Sequence, residues 1–190
     1  MDAQQVLEIA SEVYRDVRDR TDWPAGPWSD EAVDKVVWVD PITKLDCMAV
    51  RNHMGAWCGY VGIGPDHPWH GVSYGDCPLG DSCDRDEYEV FCEHRPDGLV
   101  DVHGGLTFAN GCDEEGDREG AICHIAQPGR PDPVWWFGFD CGHAWDRVPY
   151  IESLTKLHVV DDASYKTLDF VVGEIQQVAA QLREVPERVG

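Results

Sequence analysis

The chain has 190 residues, of which 43% are apolar, enough for one domain that buries a sizeable core. Its 36 acidic and 15 basic residues leave a formal charge of −21. Such a field repels nucleic-acid phosphates and anionic lipid surfaces, so direct nucleic-acid binding and membrane binding are not expected. The same charge admits an acidic protein that imitates nucleic acid, although the acids are spread along the chain and form no single run. The longest apolar runs are far short of a membrane span. The first residues carry neither a basic nor an apolar leader segment. The expectation is a cytoplasmic protein whose eight cysteines are thiols or metal ligands and not disulfides.

In chain order, Val6, Ala10, Val13 and Val17 recur at helical spacing and predict an amphipathic helix over residues 3–20. A Pro- and Gly-rich turn follows at 23–28, then a short helix from Ser29 to about residue 36, with Asp30 and Glu31 in its first turn. Residues 47–52 and 57–63 are apolar runs that predict a β-hairpin. Residues 64–71 are a loop, and 73–98 an irregular polar insertion. Residues 99–102 and 106–109 are strand-like and hinge on Gly104 and Gly105. Residues 110–133 are a second irregular insertion. Residues 134–139 are the strongest strand, near-continuously apolar and so expected at the centre of the sheet. Tyr165, Leu168, Val172, Ile175, Ala179 and Leu182 predict a helix over 162–184, capped by Asp161, Asp162 or Ser164. The fold class is therefore α+β. A mostly antiparallel sheet core over 38–160 lies between two terminal amphipathic helices, with long polar loops, in a single domain spanning 1–190.

Two segments concentrate chemistry-bearing side chains. In the first, Asp101 and His103 are placed on one face if the segment is a strand. In the second, an apolar strand runs into Asp140, Cys141, His143 and Asp146, where a rigid strand end can fix polar groups. His103, Asp140, His143 and Asp146 form a ligand set for zinc or another divalent metal. A metal-bound water attacking an ester, amide or phosphoester would make the protein a hydrolase, with a spare carboxylate such as Asp101 as general base. The same residues also suit a structural role, with Asp101 and Asp140 capping turns. A thiol-dependent hydrolase is a further alternative, with Cys141 or Cys58 activated by His103 or His143. His67 and His70 lie in a loop that could close over the site. Cys77, Cys83, Cys92 and His94 are candidates for a separate structural zinc, and Cys112, Cys123 and His124 extend that list, although no C-x-x-C pair occurs.

Five blocks are distinctive in order and content: VDPITKLDCMAVR at 39–51, CGYVGI at 58–63 with HPWHG at 67–71, VHGGLTF at 102–108, WWFGFDCGHA at 135–144 followed by Asp146 and Pro149, and the helix starting near Tyr165. On these blocks the chain resembles a family of uncharacterised bacteriophage and prophage proteins. This chain carries Trp145 where the family pattern has a small residue. The resemblance implies a phage-borne accessory protein of the infected host cell that acts on a small molecule or host component, or that inhibits a host defence or regulatory protein. It supplies no catalytic role for any residue.

Overall fold

Runs of β-branched and aromatic residues pair here as successive antiparallel strands. The computed structural model describes residues 1–79, 94–112, 118–124, 133–154 and 162–185. The strands are β1 (Glu12–Arg15), β2 (Val33–Val39), β3 (Asp46–Arg51), β4 (Trp57–Ile63), β5 (Phe108–Gly111) and β6 (Trp135–Asp140). They form one sheet in the order β1-β2-β3-β4-β6-β5, with every neighbouring pair antiparallel. The helices are α1 (Ala3–Ile9), α2 (Pro96–Leu99), α3 (Pro149–Leu154) and α4 (Leu168–Glu184). The architecture is thus α+β, with the hairpin β3–β4 and the long terminal helix where the sequence places them.

Alternation along the strands divides the interior in two. On one face Val36, Trp38, Cys47, Ala49, Trp57, Val61, Phe137 and Phe139 pack with Val171, Val172, Ile175, Val178, Ala179 and Leu182 of α4 and with Val6 of α1. Gly59 lies where α4 crosses the sheet: a β-carbon there would stand 2.4 Å from Phe139 and 2.8 Å from Ile175. Its lack of a side chain lets the helix seat. On the other face Val37, Met48, Val50, Cys58, Tyr60, Val134 and Trp136 form a second cluster, packed against Phe108, Cys112 and Ile122.

Three elements differ from the sequence expectation. The first helix ends at Ile9 and the chain continues as β1, pairing Glu12 with Val37 and Tyr14 with Lys35. Val13 and Tyr14 suit a strand, and β2 would otherwise leave a row of backbone groups unpaired, so tertiary pairing overrides the helical spacing. The helix expected from Ser29 is replaced by turns that lead into β2 at Val33, for the same reason. Residues 99–102 are not a strand: Pro96 starts the short helix α2, after which the chain runs to a turn at 103–104. At α4 the cap is Thr167, whose hydroxyl accepts from the Phe170 amide; of the expected caps, Asp161 lies outside the described residues and Asp162 and Ser164 precede the helix.

A buried ion network ties the sheet to the start of α4. Arg51 and Asp34 have fully buried side chains, with Arg51 Nε 3.2 Å from Asp34 Oδ1. Arg51 also donates to Glu31 Oε2 at 2.6 Å, to the Tyr165 hydroxyl at 2.6 Å and to the Gly55 carbonyl at 3.0 Å. Its guanidinium lies 4.4 Å from the centre of the Trp57 ring. Asp34 further accepts from the amides of Val17 and Arg18 and from Arg20.

Candidate functional site

Helix α4 carries a stripe beside its buried one. Phe170, Glu174, Gln177 and Gln181 recur at three- and four-residue spacing and so share a side of the helix. Segment 101–103 docks on that stripe. Gln181 accepts from the Asp101 amide and donates to the Asp101 carbonyl, both at 2.8 Å. Glu174 Oε2 accepts from the His103 amide at 2.7 Å. The His103 ring meets Phe170 edge-on at 5.3 Å. Gly104 and Gly105 then turn the chain with φ of +69° and +82°, a conformation glycine adopts without a steric cost.

The second contributor is the turn after β6. Asp140 Oδ1 accepts from the Gly142 amide, and Asp140 Oδ2 accepts from the Thr107 hydroxyl. His143 and Asp146 follow in the next turn, and Asp146 Oδ2 accepts from the His143 amide at 3.0 Å. Asp146 is held further by a bridge to Ser164, where the Arg147 amide donates to the Ser164 carbonyl and the Ser164 amide to the Trp145 carbonyl.

His103, His143 and Asp146 converge. A carboxylate only accepts, so His103 Nε2 donates to Asp146 Oδ2, at 2.8 Å. His143 Nδ1 lies 3.4 Å from the same oxygen. The two imidazoles stack edge-to-face at 5.3 Å. One ligand atom from each residue falls within 4.8 Å of the others. Two ligands on a tetrahedral zinc stand roughly 3.3 Å apart, so the trio needs little adjustment to close on one ion. The Asp146 side chain is fully buried, whereas His103 and His143 are 23% and 33% exposed. Asp146 Oδ1 and His143 Nδ1 are both buried without a hydrogen bond; the nearest cation to Oδ1, Lys166 Nζ, is 3.7 Å away. An unbonded carboxylate oxygen and an unbonded imidazole nitrogen in one cluster are what a cation would satisfy.

The remaining predicted residues divide as follows. Asp101 reaches this region only through its backbone, because 101–104 is a turn and not a strand; its side chain is exposed. Asp140 is outside the converging trio, since its two oxygens hold the turn and Thr107. Cys141 and Cys58 are buried. Burial, then the Asp146 charge, pushes the Cys141 thiol up, and burial with Asp140 pushes Cys58 up to about 12. Neither is a thiolate at neutral pH, which weighs against thiol chemistry. Cys77 is a half-buried free thiol, and Cys83 and Cys92 lie outside the described residues. Cys112 and Cys123 are joined in a disulfide, against the expectation that the cysteines are unpaired; the two loops carrying them meet on the second face of the sheet. Sequence reasoning missed Lys166, Glu174 and Phe170. For Glu174 and Phe170 the stripe along α4 was the available signal, overshadowed by the stronger apolar one; Lys166 precedes the helix.

His67 and His70 do not cover the trio. His67 Nε2 donates to the Leu182 carbonyl and its Nδ1 accepts from the Trp69 amide, eight residues and about 12 Å along α4 from Glu174. Burial lowers the His67 pKa below its ordinary 6.5. The fold therefore favours the neutral ring, and that contribution is complete above pH 6.5 and declines as pH falls below it. The thermal midpoint is expected to drop on acidification through that value, and His67→Gln to flatten the drop; an unchanged slope in the variant would exclude His67 as the source.

A scan against protein-family models finds no match, and searches of curated proteins and of solved structures find none either. No helix among the described residues is long and apolar enough to cross a membrane.

Proposed function

We propose that His103, His143 and Asp146 bind a divalent metal ion, with zinc the best match to two imidazoles and a carboxylate, and that the protein is a metal-dependent hydrolase. The observation that carries this reading is the convergence of the three donor groups on one buried carboxylate, whose second oxygen has no hydrogen bond. Three protein ligands leave a fourth position for water, as catalytic zinc sites do. Both imidazoles are partly exposed, so a substrate can reach that position. A zinc ion held by these three residues would lower the pKa of a bound water to about 7 and so supply a nucleophile. Glu174, fixed by the His103 amide, is the nearby carboxylate suited to accept the proton. The phage-type accessory role rests on the sequence blocks alone.

Metal analysis of full-length protein, purified without chelator or metal-affinity tag, tests this. One equivalent of metal is expected to disappear in His143→Ala and in His103→Ala, and to remain in Asp140→Asn. Hydrolysis of model ester, amide or phosphoester substrates should fall to the uncatalysed rate in the two histidine variants. Metal retained in His143→Ala would overturn the site; metal lost without any turnover in the parent protein would overturn the hydrolase.

A second reading, a non-catalytic binder of a host protein, draws support from the exposed side chains Trp145, Ile151 and Leu154. Trp145 is 62% exposed, whereas Trp28, Trp38, Trp57, Trp69 and Trp136 are core residues, so among these six it is Trp145 that is available to a partner. A host protein whose co-purification survives high salt and is lost in Trp145→Ala would favour this reading; loss at high salt would instead point to the acidic surface.

A further inference from the structure

The second face of the sheet carries another convergence of donor groups, independent of the first. Cys112 follows the edge strand β5, and Cys123 and His124 belong to segment 118–124, which lies over the second core cluster. One ligand atom from each of the three falls within 4.8 Å of the others. His124 is buried, and its Nδ1 lies 3.8 Å from Cys112 Sγ. Its Nε2 is buried with no hydrogen-bond partner among the described residues. Buried imidazoles ordinarily find a carbonyl, carboxylate or water for each nitrogen. This one meets a sulfur on one side and, among the described residues, no hydrogen-bond partner on the other, an odd environment for a structural histidine and a suitable one for a ligand.

The surroundings favour sulfur in its anionic form. Trp136 Nε1 donates to Cys112 Sγ at 3.5 Å, and the Trp136 and His124 rings pack at 5.7 Å, which fixes the imidazole plane. Lys35 is 1% exposed and anchors the segment from beneath. Its Nζ donates to the carbonyls of Arg118 at 2.6 Å, Ala121 at 2.9 Å and Cys123 at 3.4 Å. A hydrogen bond to the sulfur is the kind of outer contact that stabilises a metal-bound thiolate. The backbone carrying Cys123 and His124 is thus held in place by Lys35 whether or not the sulfurs are bonded to each other.

We infer that Cys112, Cys123 and His124 form a second metal site, a two-cysteine, one-histidine set for a thiophilic divalent cation such as zinc, which exists when the cysteine pair is reduced. Two thiolates and an imidazole select zinc over harder cations. Binding to the dithiol releases the two thiol protons. The paired state is the other half of the same device. When a small-molecule disulfide such as glutathione disulfide accepts two electrons from the two thiolates, the sulfurs join, the cation leaves, and two small-molecule thiolates are released. Metal and disulfide are alternative cross-links between β5 and segment 118–124, selected by the redox state of the surroundings.

Cobalt titration of the reduced full-length protein tests this, because a thiolate-to-cobalt charge-transfer band appears only when sulfur is a ligand. The band is expected in the parent protein, to be displaced by zinc, and to be lost in Cys112→Ser, in Cys123→Ser and in the parent after oxidation with glutathione disulfide. It should persist in His143→Ala and Cys77→Ser, which separates this site from the histidine–aspartate site and from the half-buried thiol of Cys77. Should either serine variant fail to fold, thiol counting on the parent serves instead: zinc should shield two thiols from a disulfide reagent, and chelator should expose them. No thiolate band in the reduced parent, a band that survives both serine substitutions, or thiols that react equally with and without zinc would each overturn the inference.

Discussion

Gly104→Ala is expected to keep the fold and abolish metal binding at the histidine–aspartate site, with all three ligands still present. A β-carbon at this position would stand 2.0 Å from His143 Cε1 and 2.2 Å from His143 Nε2, far inside contact distance. The ring must swing away, and the convergence with His103 and Asp146 is lost. Alanine is also strained at a φ of +69°, at about 1–2 kcal/mol. Gly105→Ala separates the two effects. It has a similar φ of +82° but nothing within 4 Å of the added carbon, so it carries the backbone cost alone and should retain its metal. Metal stoichiometry and thermal unfolding on the matched pair check this. Equal metal content in the two variants would mean that His143 does not need the space Gly104 leaves.

The largest loss of stability is expected from Arg51→Met. The methionine fills much the same volume but leaves the buried Asp34 with Arg20 and two backbone amides, and Glu31 without its guanidinium partner. Removing one member of a buried ion network typically costs about 3–5 kcal/mol, because the remaining charge is stranded in a poor solvent. For a chain of this size that corresponds to a fall of roughly 6–20 °C in the unfolding midpoint. Replacing one surface cation, as in Arg183→Met, should change it by less than about 0.5 kcal/mol. A small effect at Arg51 would mean that water or a neighbouring side chain takes over its partners.

The parts of this structure that were legible in the sequence are those where one local signal dominates. The hairpin β3–β4 and helix α4 have unbroken periodicity and clear punctuation between elements. The first helix was overextended because Val13 and Val17 fit helical spacing equally well, and nothing local reveals that β2 requires an edge partner. At the candidate site, His103, His143 and Asp146 were recognisable by residue type, but Asp140 was indistinguishable from them. Which aspartate faces the histidines depends on the turn after β6, where Asp140 is held by its own Gly142 amide while Asp146 is carried inward by the bridge to Ser164. That bridge joins positions distant in sequence, so spacing alone could not show it. The pairing of Cys112 with Cys123 was hidden likewise, since it depends on two loops meeting over Trp136.

The sheet ends on its two shortest strands. β1 and β5 have four residues each, against six or seven for the strands between them. An open edge exposes unpaired amides and carbonyls that can recruit a strand from another molecule. Here β1 turns the charged Glu12 inward and is bulged between Tyr14 and Arg15, and Asp16 takes a positive φ as the chain turns away. β5 ends at Gly111 and is tied beyond it through Cys112. Neither edge offers a flat template longer than four residues, so a sheet rich in valine and tryptophan is guarded against growing sideways into fibres.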